Sequence, residues 1–186
     1  LLTSLVTGLS TNTTYNFYVK AVDANDNFST ASNTVSVTTS NIPTYCPANS
    51  SSTAAERIQR VQFNTIDNAS TGTAEYEDFS AISTDVRKES PYTITITPLW
   101  TGTIYDEGYG VFIDWNNDGD FSDADEVAFT KAKSKITPIV GTITIPANAP
   151  YIGNVRMRVI LQYDATPGPC GTINFGQIED YTLNVK

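Results

Sequence analysis

The sequence predicts an all-β protein, a β-sandwich or jelly roll, and three observations carry that expectation. Tyr92, Ile94 and Ile96 alternate with Thr93, Thr95 and Thr97, the period-2 pattern of a strand with one face buried. Similar segments rich in Val, Ile, Thr, Tyr and Phe recur down the chain, separated by turn-rich pieces at a spacing typical of sandwiches. Helix signals are nearly absent.

In chain order, residues 15–21 and 34–38 read as two strands, with Asp26-Asn27 as turn material between them. Residues 40–44, with their proline and small polar side chains, read as a linker. Further strands are expected at 58–66, 92–98, 110–115, 126–130, 141–145, 155–161 and 179–185. The expected organisation is therefore a segment at 1–39, a linker at 40–44 and a β-domain at 45–186. In the strand at 155–161, Arg156 and Arg158 share one face and Val155, Met157 and Val159 the other. Lys131, Lys133 and Lys135 also alternate, as expected for edge protection against strand pairing.

Composition narrows the function. The 186 residues are 40% hydrophobic and 17% charged, with a net charge of -9, so the field of the chain repels nucleic acid and anionic membrane surfaces. No run approaches a membrane-spanning length, and the leading LLTSLVTGLS lacks the basic and apolar blocks of a signal peptide, as expected of a piece of a longer precursor. Histidine is absent, which removes the usual general base and the commonest zinc ligand. No enzyme is expected. Cys46 and Cys170 are the only cysteines. A disulfide between them would close most of the chain into one loop, worth about 4 to 5 kcal/mol, and would imply an oxidising compartment; the alternative is two buried thiols. Asn-x-Ser/Thr triplets at Asn12, Asn27, Asn49 and Asn68 fit a secreted surface.

The densest chemistry lies in DWNNDGDFSDAD, which carries five aspartates in twelve residues. Asp114, Asn116, Asp118, Gly119, Asp120, Ser122 and Asp125 occupy positions 1, 3, 5, 6, 7, 9 and 12 of an EF-hand-type calcium loop. Calcium is the expected cofactor, with Asp114, Asn116, Asp118, Asp120 and Asp125 as ligands. Position 12 departs from the usual glutamate, as it does in dockerin-type loops, and Glu126 follows one residue late. The alternative is an Asn-Asp-Gly hairpin turn with solvated acids and no metal. A glycosidase pair would need two carboxylates about 5 or 6.5 to 9.5 Å apart beside a cleft, which acids committed to a cation cannot supply.

Trp100, Tyr105, Tyr109 and Trp115 cluster around LWTGTIYDEGYG, whose glycines and threonines suggest an exposed loop. Exposed aromatic faces stack on sugar rings, so these four are the expected carbohydrate contacts, against a core role for Trp115 and ordinary strand-end tyrosines. Arg156 and Arg158 either pair with Glu179 and Asp180 or with Glu77 and Asp78, or else recognise sulfate or uronate on a glycan.

Two family resemblances complete the reading. Gly8-Leu9, Thr14-Tyr15, Phe17, Val19, Ala21-Val22-Asp23, Asn27, Ser29, Ser32 and Val35 to Thr38 resemble the last third of a fibronectin type III domain. That resemblance implies a partial domain whose missing strands leave exposed edges, open to strand exchange with a second copy. Tyr45-Cys46, Glu56-Arg57-Ile58, Tyr76-Glu77-Asp78-Phe79, Val111 to Asn116, Arg156-Met157-Arg158, Pro169-Cys170 and Gly176-Gln177-Ile178-Glu179-Asp180-Tyr181 are similar to the GEVED domain family. That resemblance implies a β-rich accessory module of a secreted bacterial protein, often linked covalently to a hydrolase domain. The function expected is an extracellular, calcium-stabilised, non-catalytic carbohydrate-binding module, with marine galactans or other algal polysaccharides as ligand. The alternative is a structural spacer or adhesion module.

Overall fold

A computed structural model describes residues 6, 9, 13–39 and 43–186. The chain divides into two compact units, with the boundary between Ile42 and Pro43. Gly8, Asn12 and the linker residues Ser40, Asn41 and Ile42 lie outside the described residues.

In the first unit, β1 (Thr14–Phe17) pairs antiparallel with β2 (Val35–Thr38), Tyr15 opposite Val37. The strand expected to run to Ala21 stops at Phe17 because serine side chains intrude on the ladder. Val19 N–H donates to Ser32 Oγ at 2.9 Å and Ala21 N–H to Ser29 Oγ at 2.9 Å. Between the strands, the Asp23 carboxylate accepts from the backbone of Asn25 and Asn27 and from the Asn27 amide, which holds its pKa below the usual range and fixes the turn.

The second unit is a two-sheet β-sandwich, and no helix occurs among the described residues. It comprises β3 (Ala48–Ser50), β4 (Glu56–Phe63), β5 (Ile66–Ala69), β6 (Tyr76–Val86), β7 (Pro91–Trp100), β8 (Glu107–Ile113), β9 (Val127–Ser134), β10 (Ile139–Thr144), β11 (Gly153–Tyr163), β12 (Gly171–Ile173) and β13 (Gly176–Val185). One sheet has the order β10-β7-β4-β5 and the other β6-β13-β11-β8-β9. The facing sides meet in one apolar core. Ile58, Val61, Phe63, Ile94 and Ile96 come from the first sheet, and Val111, Ile113, Met157, Val159, Leu161 and Leu183 from the second. Truncating one of these, Ile96→Ala for example, costs about 2 to 5 kcal/mol.

The seven strands expected in this unit are present, and β3, β5, β6 and β12 come in addition. The expected strand 58–66 is in fact a hairpin: Asn64 adopts φ 51° and turns the chain from β4 into β5. β6 pairs parallel with β13 at the sheet margin and alternates only weakly, so its polar residues hid it. β9 lies at the opposite edge and carries Lys131 and Lys133, where charge blocks pairing.

A second, smaller cluster covers the outer face of the five-stranded sheet. Phe112, Phe121, Ile160, Ile173 and Ile178 are buried there against Tyr45, Cys46, Ala48 and Tyr76. β12 and β3 join in a short parallel pair, and the disulfide Cys46–Cys170 ties their ends across a sequence separation of 124 residues. The disulfide points to an extracellular or otherwise oxidising environment.

Candidate functional site

The terminal strand shows how alternation divides labour between faces. Glu179 and Tyr181 point into the sandwich, where the Tyr181 hydroxyl donates to Glu179 Oε2 at 2.6 Å and accepts from the Asn68 amide. Gln177 shares that side and accepts from the Ile58 N–H of the opposite sheet. Asp180 points outward and is fully buried beneath the covering segment. Arg158 grips it with Nε and Nη2 at 2.8 and 2.9 Å, Arg156 Nη1 adds a bond at 2.9 Å, and the Tyr76 hydroxyl adds another at 2.9 Å. Arg158 Nη1 also donates to the carbonyls of Cys46 and Pro169, so one guanidinium clamps both sides of the disulfide to the sheet. Of the partners the sequence offered, Asp180 holds both arginines.

That geometry withdraws Arg158 from the expected carbohydrate contacts. It is buried, its donors are spent on Asp180 and backbone carbonyls, and its plane covers the Phe121 ring. Arg156 keeps 22% side-chain exposure and lies over the Tyr45 ring. It borders a cavity of about 510 Å³ with Tyr45, Tyr76 and Asn49.

The acidic hairpin organises itself largely through its own backbone. Asp114 is buried and accepts from the N–H groups of Asp118 and Gly119 at 3.1 and 3.0 Å. Burial raises its pKa against those bonds. Gly119 adopts φ 100°, which a side chain would strain. Glu126, also buried, accepts from Trp115 N–H and Asp123 N–H at 3.0 and 3.1 Å, and burial pushes its pKa up to about 7. The carboxylates of Asp118, Asp120 and Asp123 converge, with one oxygen of each within 4.8 Å of the others. Asn116 joins them through its amide, which donates to Asp118 and Asp123.

The expected ligand set shifts accordingly. Asp118 and Asp120 are brought together, Asp123 joins them, and Asp125 does not. Asp125 turns at φ 69° and its carbonyl is held by the Trp115 indole N–H at 3.0 Å. Asp114 faces inward as the loop's anchor. The extra residue before Glu126 changes the register, so spacing alone favoured Asp125 over Asp123.

The four expected aromatic contacts separate into two pairs. Tyr109 is 0% exposed and Trp115 3%, and both belong to the core. The expected exposed loop is present at 101–106 but ends there, because Gly108 and Gly110 are strand residues of β8. The backbone carbonyl of Ala165 lies 2.0 Å from where a Cβ of Gly108 would sit, so glycine lets the 165–167 segment lie flat on β8 and turns Tyr109 inward. Trp100 and Tyr105 remain partly exposed.

Tyr105 borders a pocket of about 210 Å³ whose other walls are Ala55, Glu56, Tyr163 and Phe175. Its three rings form an edge-to-face series: Tyr105 to Tyr163 at 5.3 Å and 85°, Tyr163 to Phe175 at 6.0 Å and 86°. Tyr163 is 39% and Phe175 44% exposed. Neither ring carries a local sequence signal, because residues 105, 163 and 175 meet only when β11 pairs with both β8 and β13. Beside this pocket, Trp100 stands opposite Glu56 across the β4–β7 ladder and donates its indole N–H to Glu107 Oε1 at 3.1 Å. Glu107 in turn stands opposite Tyr163 across β8–β11. Both carboxyls are buried, and Glu56 Oε2 and Glu107 Oε2 accept no hydrogen bond from the protein. Burial, together with the charges of Glu56 and Asp106, pushes Glu107 up to about 7 against the Trp100 bond, and burial raises Glu56 as well.

A sandwich with a disulfide-tied cover, an acidic hairpin and an aromatic mouth defines a small all-β domain. The GEVED domain family model matches residues 108–184, from within β8 to Asn184 of β13, and includes the Glu179-Asp180 pair. The match does not reach residues 1–39. No curated protein matches the chain.

Proposed function

We propose that the unit from Pro43 onward is a non-catalytic carbohydrate-binding module of a secreted polysaccharide-degrading protein. The observation that carries this reading is the mouth formed by Tyr105, Tyr163 and Phe175. It presents partly exposed rings around a small concave pocket, with the buried Glu56 at its wall. Rings in that setting give the apolar face of a sugar a stacking surface, and the carboxyl supplies hydroxyl recognition. Calcium is the proposed cofactor of the hairpin, held by Asp118, Asp120 and Asp123, whose convergence is a hard-oxygen donor set. Its role there is to neutralise the loop and keep it rigid. The first unit is proposed as a fibronectin type III spacer segment toward a linked catalytic domain, with strand exchange as one way of completing it.

The test is retention on a panel of insoluble and gelled polysaccharides, including algal galactans, for the wild type and for Tyr105→Ala and Tyr163→Ala. Selective retention that is lost in both variants supports the module. Absence of retention on every glycan refutes it and leaves the spacer or adhesion reading.

A further inference from the structure

The least explained groups in the described chain are the two carboxyls at the aromatic mouth. A buried carboxyl oxygen without a donor costs on the order of 1 to 3 kcal/mol, more if charged, and native folds leave few of them. Here two such oxygens, Glu56 Oε2 and Glu107 Oε2, belong to residues 1% and 0% exposed, and the Glu56 charge is close enough to act on Glu107. The Tyr109 hydroxyl, which the Glu107 charge also reaches, is a third unpartnered polar atom in the same place.

Nearby cations do not serve this pair. Lys133 is paired with Asp164 at 2.6 Å and Lys135 with Asp106 at 3.9 Å, while Arg57 Nε has no partner of its own and no ion pair forms between Arg57 and either glutamate among the described residues. The mouth therefore sets three aromatic rings beside Glu56, with the under-used Glu107 carboxyl behind it. Such rings favour a positive charge over their faces, and carboxylates favour it at their oxygens. A neutral sugar would answer the rings and leave the acids half satisfied. A sulfated or uronic sugar would be repelled.

We infer that the Tyr105–Tyr163–Phe175 pocket, with Glu56 and Glu107 beside it, takes the protonated amine of an amino sugar in a cationic polysaccharide. This rests on the glycan-binding reading and narrows its ligand class. The cavity, about 210 Å³, is below the about 300 to 1,000 Å³ of drug-sized pockets, so it accepts a single ring or its amine and not a longer stretch of chain. On binding, the ammonium takes the place of the proton that burial otherwise drives onto the pair. The charged groups facing Glu107 are Glu56 from β4 and Asp106 from the preceding loop, with the Trp100 indole from β7 and the Tyr109 hydroxyl as neutral partners.

The experiment is calorimetric titration of the full chain at pH 6, where the amine is charged and Glu107 holds its proton, with a glucosamine tetramer, its fully N-acetylated counterpart, a neutral galactan oligosaccharide and a lysine tetrapeptide. It is repeated for Glu107→Gln and Glu56→Gln, whose shapes are conserved and whose folding is verified by thermal unfolding. The result expected is glucosamine binding at least tenfold tighter than either neutral glycan, a loss of tenfold or more in each variant, and proton release that scales with buffer ionisation enthalpy. Equal affinity for amine and acetamide sugars overturns the inference and leaves the glycan reading standing. Binding of the lysine peptide without any glycan overturns both, and so does no binding at all. The wild-type comparison between tetramers decides the question even if a variant fails to fold.

Discussion

The acidic hairpin and the aromatic mouth both gather carboxylates, and the protein treats them in opposite ways. In the hairpin, most carboxylates are met locally: Asp114 and Glu126 by backbone N–H groups, Asp118 by Asp120 N–H, and Asp120 by Ser122. The hairpin is written into thirteen consecutive residues, and its own backbone supplies most of the donors. At the mouth, Glu56 and Glu107 come from different sheets, and the fold supplies one indole N–H for the two of them. Acids satisfied by neighbouring backbone hold a shape, whereas acids left short of donors hold a place for something else.

Asp180 is the extreme of the first kind, since two guanidiniums and a phenol converge on it. Asp180→Ala is expected to give the largest effect of any substitution considered. It strands Arg158 as a buried unpaired charge and loosens the disulfide-tied cover, for a loss of about 3 to 5 kcal/mol in urea denaturation. A loss under about 1 kcal/mol would mean that the cover and its arginines are not part of the cooperative fold. Next in size is the cation. Calcium at a hundredfold excess over its Kd is expected to stabilise by about 3 kcal/mol and raise Tm by roughly 6 to 10 °C, with the gain abolished by chelator and by Asp118→Ala. An unchanged Tm would reduce the hairpin to an ordinary turn.

A smaller effect is read by pH. Glu107, Glu126 and Glu179 have folded pKa values raised from 4.5 to about 7, so between those values the folded chain holds more protons than the unfolded one. Stability is therefore highest near the acid end of that window and falls as pH rises through it. Glu107→Gln removes one of the three groups. It is expected to flatten the fall and to raise stability at pH 8 by on the order of 2 kcal/mol, read from Tm measured at pH 5 and pH 8. A steeper fall in the variant would show that the carboxyl is paired in the folded state after all.

What could be read in the sequence depended on how local the cause was. The Tyr92–Thr97 alternation fixes a strand because each residue's face follows from its neighbour. The disulfide followed from having two cysteines, and the partners of Arg156 and Arg158 followed in part from the charge on β13. The GEVED resemblance held for residues 108–184. What failed needed through-space information. β6 escaped because Glu77, Asp78, Ser80 and Asp85 dilute its pattern. Tyr109 was placed outside because its flanking glycines look like loop, although they serve a close approach by Ala165. Tyr163, Phe175 and the Glu56–Glu107 pair had no signal at all, being joined only by strand pairing and sheet packing.

The finest distinction lies within the hairpin. The EF-hand spacing assigns Asp125 as the last ligand, whereas the convergence of carboxylates assigns Asp123. Asp125→Asn should therefore leave the calcium-induced rise in Tm within about 1 °C of wild type, since its exposed side chain stands apart from the three converging acids. Asp123→Asn should cut that rise by at least half, because it removes a charge from the donor set while retaining the backbone bond from its N–H to Glu126. The reverse order of effects would mean that the cation rebuilds the loop around the twelve-residue register, drawing Asp125 in and releasing its carbonyl from the Trp115 indole. Trp115 fluorescence during calcium titration reads that release directly: a shift accompanying binding favours the rebuilt loop, and a constant signal favours the one in which Asp123 closes the site.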